Sequence, residues 1–440
     1  MQLKQGVLAL CLSLFLTSGE SQAMPVNDTN GFHSKYLLKE AVLLSRHNIR
    51  SPLSDKGSDL EQITPHKWFN WTSGPSELSL RGGQLETMMG QYFRKYFESE
   101  GLFEENAQPK DGEVRIYANS TQRTIATAHY FVSGMLPVAD IAVEHKFAPS
   151  KMDPVFCPQL TFISEAFKEK ALQQIQAMGG AKGFTGICED LKDSYRVLEN
   201  TLDLKNSEKA RKEGFTKFRY DDLKIILEQN EEPKMKGSLK TATSASDAFI
   251  LQYYEEKDPL KAGFGHKLSL KDWELISRIK DVYIDVLFTA PVVAVNVAHP
   301  LLKEIRKELT TDGRKFAFLC GHDSNIGSVL AALENEPYLL PDSIEKKTPI
   351  GSKLAIEKWL GRDGKEYVSL NIVYQSTTQL RERTSLDLKT QPVSYPIFLK
   401  GLEKNADGLY RLEDVLERFD KAISAYDDLP EDADEHQNAA

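Results

Sequence analysis

Three short apolar runs, each halted by a polar cluster, constrain this chain more than any other feature. "EAVLLSR" (Glu40 to Arg46), "EVRIYANS" (Glu113 to Ser120) and "KFAFLC" (Lys315 to Cys320) read as buried strands. Between the first two, residues 82–101 carry Leu85, Met88, Met89, Tyr92, Phe93, Tyr96 and Phe97 at helical spacing, with Gly101 placed to end the helix. That Met and aromatic stripe reads as core packing. "TQRTIATAHYFVSG" (Thr121 to Gly134) is a second helical segment with Ser120 or Thr121 as its cap, and "DIAVEH" (Asp140 to His145) a further strand. Strand, helix, strand, helix, strand is the alternation of an α/β sheet domain.

From Lys151 to about Asp285 the texture changes to long polar helices such as "EAFKEKALQQIQAMGG" and "KDWELISRIKDVYIDVLF". The strand pattern resumes with "KFAFLC" and continues through "SKLAIEKWLGRDGKEYVSLNIVYQ", whose Gly361-Arg362-Asp363-Gly364 centre predicts a hairpin turn. The expected organisation is an α/β domain split between residues 24–150 and 286–425, a mainly helical insertion at 151–285, and an acidic, frayed tail at 426–440. Residues 1–23 read as an export signal: Lys4 leads an apolar core from Gly6 to Leu16, and Ser21-Gln22-Ala23 is a small-x-small cleavage pattern. A soluble product, periplasmic or secreted, with no stable membrane insertion is expected.

The net charge of -9 argues against a nucleic-acid partner, whose binding would need a basic face, and so favours a small-molecule substrate. Oligomeric state is not legible. Cys157 and Cys188 could pair across a polar segment, while Cys320 reads as a buried strand thiol. There is no CxxC or HExxH pattern, and the nine histidines do not cluster along the chain as metal ligands would. No metal and no cofactor are therefore expected.

In open α/β sheets, ligands bind beyond the carboxyl ends of strands. Three polar clusters hold that position: Arg46-His47-Asn48-Ile49-Arg50, Asn119-Ser120-Thr121-Gln122-Arg123 and Gly321-His322-Asp323-Ser324-Asn325. If their strands share one sheet, three arginines, two histidines and one carboxyl group meet. Guanidinium forks match the equatorial oxygens of a phosphoryl group in transfer, and mutual repulsion among the arginines is relieved by a dianion between them. Neutral imidazole is a nucleophile for phosphorus, and neighbouring arginines would keep it neutral. Asp323 is then the candidate general acid for the leaving alkoxide. A serine hydrolase built on Ser324 is disfavoured because no GxSxG elbow exists. A phosphate- or sugar-phosphate-binding protein without turnover would keep the arginines and have no need of Asp323.

"RHNIRSP" resembles the RHGxRxP signature of the histidine acid phosphatases, and "CGHDSN" their distal histidine-aspartate motif. "YANSTQRTIATAHYFVSG", "SDAFILQYYE" and "KKTPIGSK" extend the resemblance, which runs from about Tyr36 to Glu417. It implies a mixed sheet flanked by helices, as in phosphoglycerate mutase-like folds, with a helical domain inserted and the site in the cleft between them. It further implies a phosphohistidine at His47, phosphate held by Arg46, Arg50, Arg123 and His322, proton donation by Asp323, and no need for metal. Asn48 stands where the family's signature has glycine. If that position needs a left-handed backbone, Asn is the best substitute. Asn48, and Glu255 in "QYYE", resemble the glucose-1-phosphatase branch rather than the phytases, since a carboxylate near the mouth would repel a highly phosphorylated inositol. Leu53, Trp68 and Trp71 are further candidates for the pocket wall, with core packing the alternative.

Overall fold

The computed structural model describes residues 31–53, 58–149 and 151–432; the expected export signal and the last eight residues of the tail lie outside them. A mixed sheet contains β1 (Tyr36–Arg46), β2 (Val114–Ala118), β6 (Phe316–Gly321) and β7 (Lys353–Gly361), with the short β3 (Val143–Glu144) at one edge. β8 (Glu366–Tyr374), β9 (Val393–Pro396) and β10 (Tyr410–Arg411) complete it in the order β10-β8-β7-β1-β6-β2-β3, with β9 also on β8. β1, β6, β2 and β3 run parallel, whereas β7 is antiparallel to β1 and β8 antiparallel to β7. Gly364, at φ 76°, turns the β7–β8 hairpin where the Gly-Arg-Asp-Gly sequence predicts it.

The near-continuous apolar character of β1 and β6 follows from burial on both faces. Side chains alternate across a strand, so Ala41, Leu43, Phe316 and Phe318 enter one core with Met89, Phe93, Phe97 and Phe131. Val42, Leu44, Ala317 and Leu319 enter the opposite core with Leu301, Ile305, Val329 and Phe419. The first face is covered by helices Leu80–Ser99 and Gln122–Met135, the second by Pro291–Glu308, Asp323–Ala332 and Leu412–Ser424. The first two helices cross at glycines: a Cβ on Gly90 would stand 2.2 Å from the Phe131 carbonyl oxygen, and one on Gly134 2.1 Å from that of Thr87. Only the missing side chain permits that approach.

A third core joins Phe167, Leu198, Leu239, Phe249, Trp273 and Leu287 of the helical stretch with Ile49 and Ile350. Ile49 follows β1 and Ile350 precedes β7, so this layer packs over the carboxyl end of the sheet. The stretch also holds an unanticipated hairpin, β4 (Lys224–Ile226) and β5 (Lys234–Lys236), whose short, lysine-flanked strands carry too little apolar pattern to be read as such. The boundary expected near Asp285 falls inside the helix Leu270–Phe288. Cys157 and Cys188 do not pair; both thiols are free, Cys188 buried in the third core and Cys157 3.9 Å from Glu232 Oε1. Cys320 is a buried strand thiol, as its apolar run implies. No single helix among the described residues is long and apolar enough to cross a membrane.

Candidate active site

Strand register sets the site. Ser45 and Arg46 on β1 face Cys320 and Gly321 on β6, and Ala118 on β2 faces Cys320. The three strands thus end level, and the loops after them start side by side: His47 N donates to Gly321 O at 3.0 Å, and Asn119 N to Cys320 O at 2.9 Å. Two helices begin here, one at Gln122 with Thr121 as its cap and one at Asp323 with His322 as its cap. Both turn their amino-terminal ends, the positive ends of their dipoles, toward this end of the sheet.

His47 and His322 stand edge to face with ring centroids 5.5 Å apart. His47 Nδ1 lies 2.8 Å from the carbonyl oxygen of Asn48. A carbonyl only accepts, so Nδ1 carries the proton and Nε2 the lone pair. Burial, reinforced by Arg123, Arg50, His322 and Arg46, holds His47 well below the ordinary histidine range. Burial and Arg123 do the same to His322. The Asn119 amide donates to His322 Nε2 at 2.7 Å, and its Oδ1 accepts from Ser120 N and Asp153 N, which fixes the orientation of the amide.

The arginines are anchored by partners far away in sequence. Arg46 Nη1 donates to Glu345 Oε1 at 2.6 Å, and its Nη2 lies 3.4 Å from Asp323. Arg50 Nη2 donates to Asp247 Oδ2 at 3.0 Å. Burial and the neighbouring Arg50 lower the Arg123 guanidinium to about 10. Arg46, Arg50 and Arg123 each retain a buried Nε without a hydrogen-bond partner. Buried donors are rarely left so, and three together mark a place for an anion.

Lys280 stands between two carboxylates, 2.9 Å from Asp247 Oδ1 and 3.0 Å from Asp323 Oδ2. Burial alone would raise Asp323, but Lys280, Arg46 and His47 pull it well below the carboxylate range. Asp323 is therefore ionised in the ligand-free protein at mildly acidic pH, so as a general acid it must first take up a proton.

Asn48 is not among the residues of positive φ, so its backbone is not the left-handed one considered for it. The side chain instead spans a buried gap: Nδ2 donates to Glu86 Oε2 at 2.8 Å, and Oδ1 accepts from Ile49 N at 2.9 Å. Glu86 in turn pairs with Lys353 at 2.8 Å, both fully buried.

The structure thus gathers Arg46, His47, Arg50, Arg123, His322 and Asp323 into one electrostatically coupled cluster. Glu255 stands apart from it, accepting from Ser79 Oγ at 3.1 Å and raised by burial against the pull of Ser79 and Arg81. Leu53 is 66 % exposed and hence no core residue. Trp68 packs edge-on against Phe249 and Phe264, and Trp71 against the third core. Asp247, Lys280 and Glu345 were given no role by sequence reasoning: Asp247 lies within the quoted segment "SDAFILQYYE", but nothing local ties it to Arg50, and Lys280 and Glu345 reach the cluster from a distant helix and loop.

Away from this cluster, His66 and His266 meet around Asp203. The three residues are far apart in sequence, so no spacing pattern shows them, and only the fold brings them together.

Comparison with known proteins gives the same assignment as the motifs. The profile described as histidine phosphatase superfamily (branch 2) matches residues 37–373. A glucose-1-phosphatase of Salmonella typhimurium is 38% identical over 395 residues, spanning 88% of this chain and 92% of the relative. One of Providencia rettgeri is 35% identical over 427 residues, spanning 96% and 100%. The crystallographic fold of the phytase from Citrobacter braakii superposes with a TM-score of 0.79 at 26% identity, covering 89% of this chain and 98% of that one. A binding protein without turnover is set aside, and since the match runs from β1 through β8 and takes in all three polar clusters, the chain belongs to the histidine phosphatase superfamily, branch 2, as a histidine acid phosphatase.

Proposed function

We propose that this phosphatase hydrolyses glucose 1-phosphate and similar small phosphate monoesters through a phosphohistidine at His47. The observation that carries the mechanism is the 2.8 Å contact of His47 Nδ1 with the Asn48 carbonyl, which leaves the Nε2 lone pair for attack. Arg46, Arg50, Arg123 and His322 hold the phosphoryl oxygens and take up the charge that develops on them. Nε2 forms a bond to phosphorus as the ester oxygen leaves, and that oxygen takes a proton from Asp323. Water then attacks the phosphohistidine, gives its proton back to the Asp323 carboxylate, and releases inorganic phosphate and neutral imidazole.

Because ligand-free Asp323 is ionised, its proton comes with the substrate. A phosphate monoester is a monoanion below its second ionisation, near pH 6. Once the ester sits among the arginines, its negative charge raises Asp323, and the proton passes to the carboxylate. Guanidinium groups supply all the positive charge this route needs at phosphorus.

Preference for a small sugar phosphate rests on the two relatives named glucose-1-phosphatase. The phytase reading is kept in view by a 28% identical relative, phytase AppA of Escherichia coli. Comparing kcat/KM for glucose 1-phosphate and phytate on the purified chain decides between them, with the sugar phosphate expected to win. His47→Ala should fold normally yet yield neither turnover nor an acid-quenched phosphoenzyme; turnover by that variant would remove the mechanism. Export to the periplasm is part of the same reading, supported by the signal-like first 23 residues.

A further inference from the structure

We propose that His66, Asp203 and His266 bind a divalent metal ion of the zinc class, as a clip that fastens one loop of the first α/β stretch to two loops of the helical stretch. The three come from separate places in the sequence. His66 follows the short helix Asp59–Gln62, Asp203 caps the carboxyl end of Lys192–Leu202, and His266 follows Pro259–Ala262. Their donor atoms nevertheless all lie within 4.8 Å of one another.

Both imidazoles address one carboxylate oxygen through the same ring atom: His66 Nε2 is 2.5 Å and His266 Nε2 3.3 Å from Asp203 Oδ2. The rings are perpendicular, with centroids 6.5 Å apart, so the two nitrogens converge without the rings colliding. Zinc bonds to nitrogen and oxygen are about 2.0–2.2 Å, which sets tetrahedral donor atoms about 3.3 Å apart. The His266–Asp203 spacing already has that value, and the His66–Asp203 pair would open by somewhat less than an ångström. His66 is steadied by stacking on Phe264, centroids 5.0 Å apart, and by donation from its backbone N to Thr64 Oγ1.

Two imidazoles and one carboxylate suit zinc and its borderline neighbours; calcium and magnesium prefer all-oxygen sets. The side chains are about one-third exposed, so an ion can enter and water can fill its fourth position. None of the three belongs to the phosphate cluster. The segment it secures packs on the helix Ser238–Glu255: Phe69 N donates to Gln252 Oε1 at 2.8 Å and Trp68 packs on Phe249.

The test is calorimetric titration of zinc chloride into the chelator-treated full chain, with thermal unfolding alongside. One equivalent should bind and Tm should rise with zinc concentration. Cobalt in the same site should give the strong visible bands of tetrahedral coordination. Asp203→Asn, which tolerates the left-handed backbone at φ 50°, and His266→Asn should each lose the equivalent and the Tm response while keeping phosphatase activity. Failure of the unmutated chain to bind zinc overturns the proposal whatever the variants do, and so does undiminished binding by a folded variant.

Discussion

Replacing Asn48 by glycine, the residue of the family signature, separates two accounts of this position by the sign of a stability change. The buried Asn48 amide donates to the Glu86 carboxylate at 2.8 Å and accepts from Ile49 N at 2.9 Å. A hydrogen bond to a charged group is worth about 1.5–3 kcal/mol and a neutral one about 1 kcal/mol. Glycine adds about 0.5–1 kcal/mol through the freedom of the unfolded chain. Asn48→Gly should therefore destabilise by about 3–5 kcal/mol. With about 2.1 cal/mol/K of unfolding entropy per residue, a chain of 440 residues should lose about 3–5 °C in Tm. Differential scanning calorimetry reads this directly. Were Asn48 held in a left-handed backbone, glycine would relieve about 1–2 kcal/mol. An unchanged or raised Tm would then refute the bridging role.

Glu345→Ala removes the partner of a buried guanidinium, and Glu345 also accepts from Ile350 N at 2.9 Å; a loss of about 3–5 kcal/mol is expected in urea unfolding, together with a raised KM as Arg46 loses its anchor. Since the proton for the leaving group enters with the substrate, kcat/KM should fall above about pH 6, where the ester gives up its second proton. That limb should follow the second pKa of each ester tried; a limb fixed across esters would assign it to the enzyme instead.

Much of the candidate cluster was legible because β1 and β6 are buried on both faces. Their unbroken apolar runs made the following polar residues conspicuous, and register on adjacent parallel strands turned three distant clusters into neighbours. What surrounds the cluster was not legible. Asp247 and Lys280 sit on helices, Glu345 lies in a loop, and their side chains meet the arginines only through tertiary packing. The β4–β5 hairpin was hidden for the opposite reason, since three-residue strands leave no period to detect. The left-handed backbone considered for Asn48 is not adopted; its side chain bridges to Glu86 instead, a contact no local pattern shows.

β1 lies between β6 and β7, hydrogen-bonded along both edges, and Ala41 to Leu44 have no solvent exposure. The segment that delivers His47 thus has no low-energy way to open by itself, because freeing either edge exposes both sheet cores. Amide hydrogens of residues 41–46 should be among the slowest in the chain to exchange, at rates governed by global rather than local unfolding. Heat would then inactivate this enzyme when the whole sheet gives way, and not before.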